Sequence, residues 1–119
     1  MVKILVIEDE VPLLDEIVSL LRFEDFEVFG APNGNIGVKL AHTYLPDLII
    51  SDIMMPGLDG FGVFQTLQND PVTSRLPFIF LTARADYSQV RQGMQLGVDD
   101  YVTKPFTREE LLSAIQARL

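Results

Sequence analysis

The sequence predicts an α/β fold, a doubly wound (βα)5 sheet of five parallel strands, and three observations carry the prediction. Short, continuous apolar runs such as Lys3-Ile4-Leu5-Val6-Ile7, Leu48-Ile49-Ile50 and Phe78-Ile79-Phe80-Leu81 have the composition of strands covered on both faces. Between them, apolar residues recur at helical spacing. The two patterns alternate with short connections, and right-handed crossovers then return each strand beside the last in a parallel sheet. Five units are too few for a closed eight-unit barrel. With 119 residues the chain fits one domain and one core, taken as residues 1–119.

The first strand covers Lys3 to Ile7. Pro12 then suits a first helical turn, and Leu14, Ile17, Val18 and Leu21 recur at i, i+3, i+4 and i+7, the stripe of an amphipathic helix. Val28-Phe29 is the second strand. Asn33 can cap a weaker second helix whose apolar face runs through Ile36, Leu40 and Ala41, and Pro46-Asp47 separates it from the third strand, Leu48 to Ile50. A Pro56-Gly57 turn leads to a helix capped by Asp59, with Phe61, Phe64 and Leu67 inward, and Phe78 to Leu81 form the fourth strand. Asp86 with Gln89, and Thr107 with Glu110, have capping-box spacing and open the last two helices. Between those helices Gly97 supplies a stop and Tyr101-Val102 a short fifth strand before Lys104-Pro105.

Composition excludes several classes of function. Hydrophobic residues at 48% and charged residues at 22% give a globular balance, so disorder is not expected. No apolar run approaches the roughly 20 residues of a membrane span, and the opening run reaches Glu8 too soon for a signal peptide, which points to a soluble, cytoplasmic protein without membrane contact. The absence of cysteine removes disulfides, thiol catalysis and zinc–thiolate sites, and the single His42, read as a helix-surface residue, cannot build a histidine metal cluster. Residues 1–75 hold 12 acidic and 4 basic side chains, and residues 76–119 hold 5 of each. So acidic a chain repels a phosphate backbone, and no direct nucleic-acid binding is expected.

In a doubly wound sheet, ligands bind beyond the carboxyl ends of the strands. Glu8 and Asp9 follow the first strand, Asp52 the third, Thr82 the fourth and Lys104 the fifth, so all five converge on one edge. Each has a plain structural explanation when taken singly: acids favour a helix N-terminus, Asp52 precedes a turn and Lys104 precedes a proline. Taken together they resemble a reaction site. Three carboxylates held close repel one another and call for a cation. Oxygen ligation without His or Cys selects a hard ion, and Mg2+, which keeps water and a substrate phosphate oxygen, suits the set better than calcium, for which there is no ligand-dense loop. A nucleophilic acid, a metal and further donors complete the requirements of phosphoryl transfer.

At these residues the chain closely resembles the receiver domain of bacterial two-component response regulators, the CheY-like domains. The carriers are Glu8-Asp9-Glu10, the run Asp52-Ile53-Met54-Met55-Pro56-Gly57-Leu58-Asp59-Gly60, Thr82-Ala83, and Gly97-Val98-Asp99-Asp100-Tyr101-Val102-Thr103-Lys104-Pro105-Phe106. The resemblance spans essentially all of residues 1–119 as one receiver (phosphoacceptor) domain. It implies the flavodoxin-like strand order 2-1-3-4-5. It further implies that Asp52 is phosphorylated by a sensor histidine kinase or a histidine phosphotransfer protein. Mg2+ would be held by Asp9, Asp52, the Met54 main-chain carbonyl and, through water, Glu8. Lys104, on a cis Lys104–Pro105 peptide, would pair with the phosphoryl oxygens. Thr82 would move to the phosphoryl group while Tyr101 turns inward behind it, carrying occupancy to a surface on helix four, strand five and helix five, near Arg91, Tyr101 and Arg108. That surface would meet an effector domain or downstream protein, or a second copy in a homodimer. Glu8 stands where many relatives carry Asp, and its longer arm is less constrained.

No enzyme activity beyond self-directed phosphoryl transfer and autodephosphorylation is expected. An aspartyl phosphatase of the haloacid dehalogenase class would need an acid two positions after its nucleophile, where this chain has Met54. A nucleotide- or flavin-binding module would need a phosphate cradle after the first strand, where Glu8-Asp9-Glu10 repels phosphate. A purely structural interaction domain would leave the assembled charges without a purpose. Ending at Leu119 on the fifth helix, the chain reads either as a stand-alone receiver or as the receiver part of a longer transcriptional regulator.

Overall fold

Every apolar run singled out above becomes a strand of one sheet in the computed structural model, which describes residues 1–83 and 87–119. The elements follow in the order β1 (Lys3–Ile7), α1 (Val11–Phe23), β2 (Glu27–Ala31), α2 (Gly34–Tyr44), β3 (Leu48–Asp52), α3 (Gly60–Gln68), β4 (Phe78–Ala83), α4 (Tyr87–Leu96), β5 (Asp100–Lys104) and α5 (Arg108–Gln116). All four strand pairings are parallel and the spatial order is β2-β1-β3-β4-β5. The chain starts near the middle, builds outward to β2, then crosses β1 to continue in the other direction through β3.

The sheet divides the interior into two cores because successive side chains on a strand point to opposite faces. Ile4 and Val6 of β1 join Leu14, Ile17 and Leu21 of α1 and Leu111 and Ile115 of α5 on one face. Leu5 and Ile7 join Ala41 of α2 and Val63, Phe64 and Leu67 of α3 on the other, with Phe78 and Phe80 of β4 in edge-to-face contact with Phe64. Each fully buried Leu, Ile or Phe contributes about 1.5–3 kcal/mol, so the strands are held chiefly by the helices that cover them.

Local signals account for most helix starts. Asn33 accepts from the Ile36 amide, Asp59 from the Gly62 amide, and Thr107 and Glu110 form a reciprocal capping box. α1 has no side-chain cap and relies on Pro12 in its first turn. The capping box expected from Asp86 and Gln89 lies outside the described residues. Gly97, with φ of +95°, ends the α4 segment, and Gly57, with φ of +74°, turns the chain after Pro56.

α2 departs from its expected face. Ile36 is 39% exposed, while Gly34, Gly37 and Ala41 are buried. The reason is proximity: a Cβ on Gly37 would stand 2.8 Å from Cγ1 of Ile7, so the helix approaches β1 closer than any larger residue permits. Among the described residues, no helix is long and apolar enough to cross a membrane.

Candidate functional site

The carboxyl ends of β1, β3, β4 and β5 lie along one edge, and Glu8, Asp9, Asp52 and Lys104 meet there as the sequence predicted. Glu8 is fully enclosed, with its main-chain amide donating to the Ala31 carbonyl. Asp9 beside it is half-buried. Asp52 closes β3 and is 6% exposed, and its Oδ1 accepts from the Ile53 amide at 2.9 Å. Carboxylate oxygens of Glu8, Asp9 and Asp52 all lie within 4.8 Å of one another.

Lys104 reaches this cluster from the end of β5, across β4 and β3. Its Nζ lies 2.8 Å from Glu8 Oε1 and 3.3 Å from Asp52 Oδ1. The Lys104–Pro105 peptide is cis, as the resemblance implied. Glu8 thus holds the ammonium more closely than Asp52 does, a partnership that spacing along the sequence did not reveal. The longer Glu arm supplies the reach, and its second oxygen accepts from the Glu10 amide at 3.1 Å.

Electrostatics follow from enclosure. Burial pushes the Glu8 carboxyl up to about 7, with Asp52 adding to the rise, while Lys104 and the Glu10 amide work against it. Burial also raises Asp52, and Asp9 adds to it, against the pull of Lys104. For Lys104, burial disfavours the charge, but the contacts with Glu8 and Asp52 together outweigh it and hold its pKa above the ordinary value. Among the described residues, one ammonium therefore faces three acids and leaves them incompletely compensated. This donor set fits a hard divalent cation, which takes oxygen ligands at about 2.0–2.1 Å and keeps several waters.

Thr82 is buried at the end of β4, paired in register with Thr103, and its hydroxyl donates to the Ala83 carbonyl at 3.4 Å. Met54 follows Asp52 by two residues; its side chain is 64% exposed, and the residue lines the same groove as Asp9, Asp52 and Lys104. Tyr101 is 39% exposed on β5, paired with Phe80 of β4. Arg91 is exposed on α4. Arg108, expected near the same surface, instead reaches Glu24 beyond the end of α1 at 2.7 Å.

The groove over the site has a volume of about 790 Å³ and extends between α1 and the β5–α5 connection, over Leu13, Ile17, Leu20 and Phe106. Sequence reasoning missed this apolar continuation. Its signal was present in α1, where Leu13 and Leu20 widen the apolar stripe beyond what one buried face needs.

Comparison with known proteins agrees with the geometry. Residues 4–116 match the family model of the response regulator receiver domain. "Probable transcriptional regulator ycf27" of Guillardia theta is 40% identical over 117 residues, covering 98% of this chain and 45% of that protein. The chain therefore spans less than half the length of that relative. Among solved structures, the chemotaxis protein CheY4 of Vibrio cholerae superposes with a TM-score of 0.94 at 27% identity, covering 100% of this chain and 99% of that one. A response regulator receiver domain protein from Clostridium thermocellum gives a TM-score of 0.92 at 30% identity, over 99% and 94% of the two chains.

Proposed function

Because the chain belongs to the response regulator receiver domain family of two-component signalling, we propose that it is a switch set by phosphorylation of Asp52, with a sensor histidine kinase or histidine phosphotransfer protein as donor. The observation that supports this most is the placing of the Asp52 carboxylate at a strand end, with Glu8 and Asp9 oxygens within 4.8 Å and the Lys104 ammonium 3.3 Å away. An Asp52 oxygen attacks phosphorus, the new O–P bond forms as the donor's N–P bond breaks, and the departing imidazole takes up a proton from water. Asp9, Asp52, the Met54 carbonyl and, through water, Glu8 are the residues that would hold magnesium. When bound, the ion neutralises charge on the transferring oxygens.

Lys104 orients and balances the phosphoryl group, and Thr82, at the end of the neighbouring strand, supplies a hydroxyl to it. Tyr101 stands in an outward setting from which its ring turns in as Thr82 moves, altering the α4–β5–α5 surface. A change from 1:99 to 99:1 between the two forms needs about 5.5 kcal/mol of differential stabilisation, a scale that several charge-assisted contacts to one phosphoryl group can supply. That surface then meets an effector domain, a downstream protein or a second copy of the chain, in the cytoplasm. The chemistry is directed at its own Asp52, including the later hydrolysis, and the protein turns over no other substrate. A phosphatase reading is disfavoured by Met54, whose thioether can neither give nor accept the proton that such chemistry requires.

Magnesium and a small phosphodonor should give an adduct of one phosphoryl group that survives acid and is released by base or hydroxylamine. Intact-mass measurement should find it in the wild type and not in Asp52→Asn. An adduct of equal yield in the variant would remove the assignment.

A further inference from the structure

The connection from Ile53 to Asp59 carries Met54, the main-chain donor in the reading above, and its base is firmly tied. The Ile53 amide donates to the Leu81 carbonyl at 3.1 Å, and the Gly60 amide donates back to the Ile53 carbonyl at 2.8 Å, closing the neck of the loop. Ile53 and Met55 are buried, whereas Pro56 and Gly57 are exposed. What steadies the far limb is Leu58. It sits between two glycines from different helices: Gly34, the first residue of α2, and Gly62, in the first turn of α3. A side chain on Gly34 would overlap the Leu58 carbonyl oxygen and stand 3.0 Å from its Cβ, and one on Gly62 would come within 2.5 Å of its Cδ1. Positive φ occurs at Gly57 and Gly97 but at neither of these two. Their contribution is therefore room for Leu58, since the backbone conformation asks for no glycine.

We infer that Gly34 is a positioning residue for the metal site: with Gly62 it forms a slot that seats Leu58 and so fixes where the loop presents the Met54 carbonyl to Asp9 and Asp52. None of the acids is among the three heavy atoms nearest a Cβ placed on Gly34, and its effect passes through main chain. At Gly34→Ala the overlap falls on a backbone oxygen, which cannot rotate aside as a side-chain tip can, so the loop or the start of α2 must shift. The inference rests on the proposed magnesium site.

The test is a calorimetric titration with magnesium alone on the wild-type chain, Gly34→Ala, Leu58→Ala and Ile115→Val, with thermal melting in metal-free buffer. Ile115 is buried on the opposite face of the sheet, so its truncation lowers stability without pressing on the loop. Gly34→Ala and Leu58→Ala should weaken magnesium by about tenfold or more, the range for groups that orient metal ligands, while Ile115→Val binds as the wild type does. Wild-type affinity in both loop variants overturns the inference. So does restored affinity in Gly34→Ala with Val63→Ala, because the crowding would then be against Val63, whose Cγ2 is 2.9 Å from the added carbon. If Gly34→Ala does not fold, Leu58→Ala decides alone. A wild-type chain that takes up no magnesium would overturn the site itself, and that result is distinct from equal binding by all four proteins.

Discussion

Replacing Lys104 with alanine removes the ammonium that lies 2.8 Å from Glu8 and 3.3 Å from Asp52, and the consequence depends on which acids can become neutral. At an effective dielectric of about 20, a pair of unit charges about 3 Å apart interacts by about 5–6 kcal/mol before desolvation, and breaking one buried pair typically costs about 3–5 kcal/mol. Glu8, however, has an escape. Burial already pushes it from 4.5 to about 7, and loss of the ammonium moves it higher. A carboxyl whose folded pKa is raised contributes stability that is complete below its unfolded pKa and is lost as pH rises through the folded value. At pH 6, Glu8 is largely neutral in both proteins, and the loss is confined to about 1–3 kcal/mol for the remaining charged contact. Above pH 7 the wild-type Glu8 ionises beside Lys104 while the variant's, held higher, ionises later, so the gap is wider at pH 8.5 and grows by about 1.4 kcal/mol per pH unit between the two folded pKa values. Urea denaturation followed by circular dichroism, with chelator present, measures both gaps. Excess magnesium should narrow the one at pH 8.5. An equal gap at the two pH values, or no response to magnesium, would refute this account of the pocket.

Two further outcomes are expected. His42 Nδ1 faces the Val38 carbonyl at 3.0 Å and Nε2 faces Asp70 at 2.7 Å, both acceptors, which favours the doubly protonated ring; the bond to Asp70 raises its pKa above 6.5, and His42 in turn lowers Asp70. The clasp between α2 and the α3–β4 connection is therefore intact from Asp70's lowered pKa upward and is lost as pH rises through the folded pKa of His42. Because the chain has one histidine, its ring resonance titrates unambiguously, and Asp70→Asn should return it toward 6.5; an unchanged midpoint would refute the clasp. Gly37→Ala should destabilise the fold despite a helix-propensity gain of about 1 kcal/mol, because overpacking against Ile7 costs about 1–3 kcal/mol. A higher denaturation midpoint would show that α2 has room to withdraw.

Strand positions were legible because β1, β3 and β4 are buried on both faces, and continuous apolar runs have few other uses in a chain of this size. The caps at Asn33, Asp59 and Thr107 were legible because side-chain oxygens satisfy amides only three residues away. Strand order came from the family resemblance, since the apolar runs are similar enough to exchange neighbours. The acidic cluster could be assembled from strand ends alone, but its internal pairing could not: Glu8 and Lys104 are 96 residues apart, and their 2.8 Å contact depends on the reach of two long side chains. In α2 the expected face ran through Ile36, Leu40 and Ala41, whereas the lack of a side chain at Gly34 and Gly37 sets the buried face and leaves Ile36 outside. Such close backbone approaches leave no periodic trace.

The Glu8–Lys104 contact joins the first strand to the last across two others, and this bears on how the protein emerges during synthesis. A chain stopped short of Lys104 carries all three acids without their ammonium, at the point where β4 lacks its outer neighbour. Self-repulsion then works against premature closure of that edge, and the final strand brings both its backbone hydrogen bonds and its positive charge in one step. The fifth strand is thus the segment that renders the front edge electrically tolerable, and that edge is balanced only with completion of the sheet.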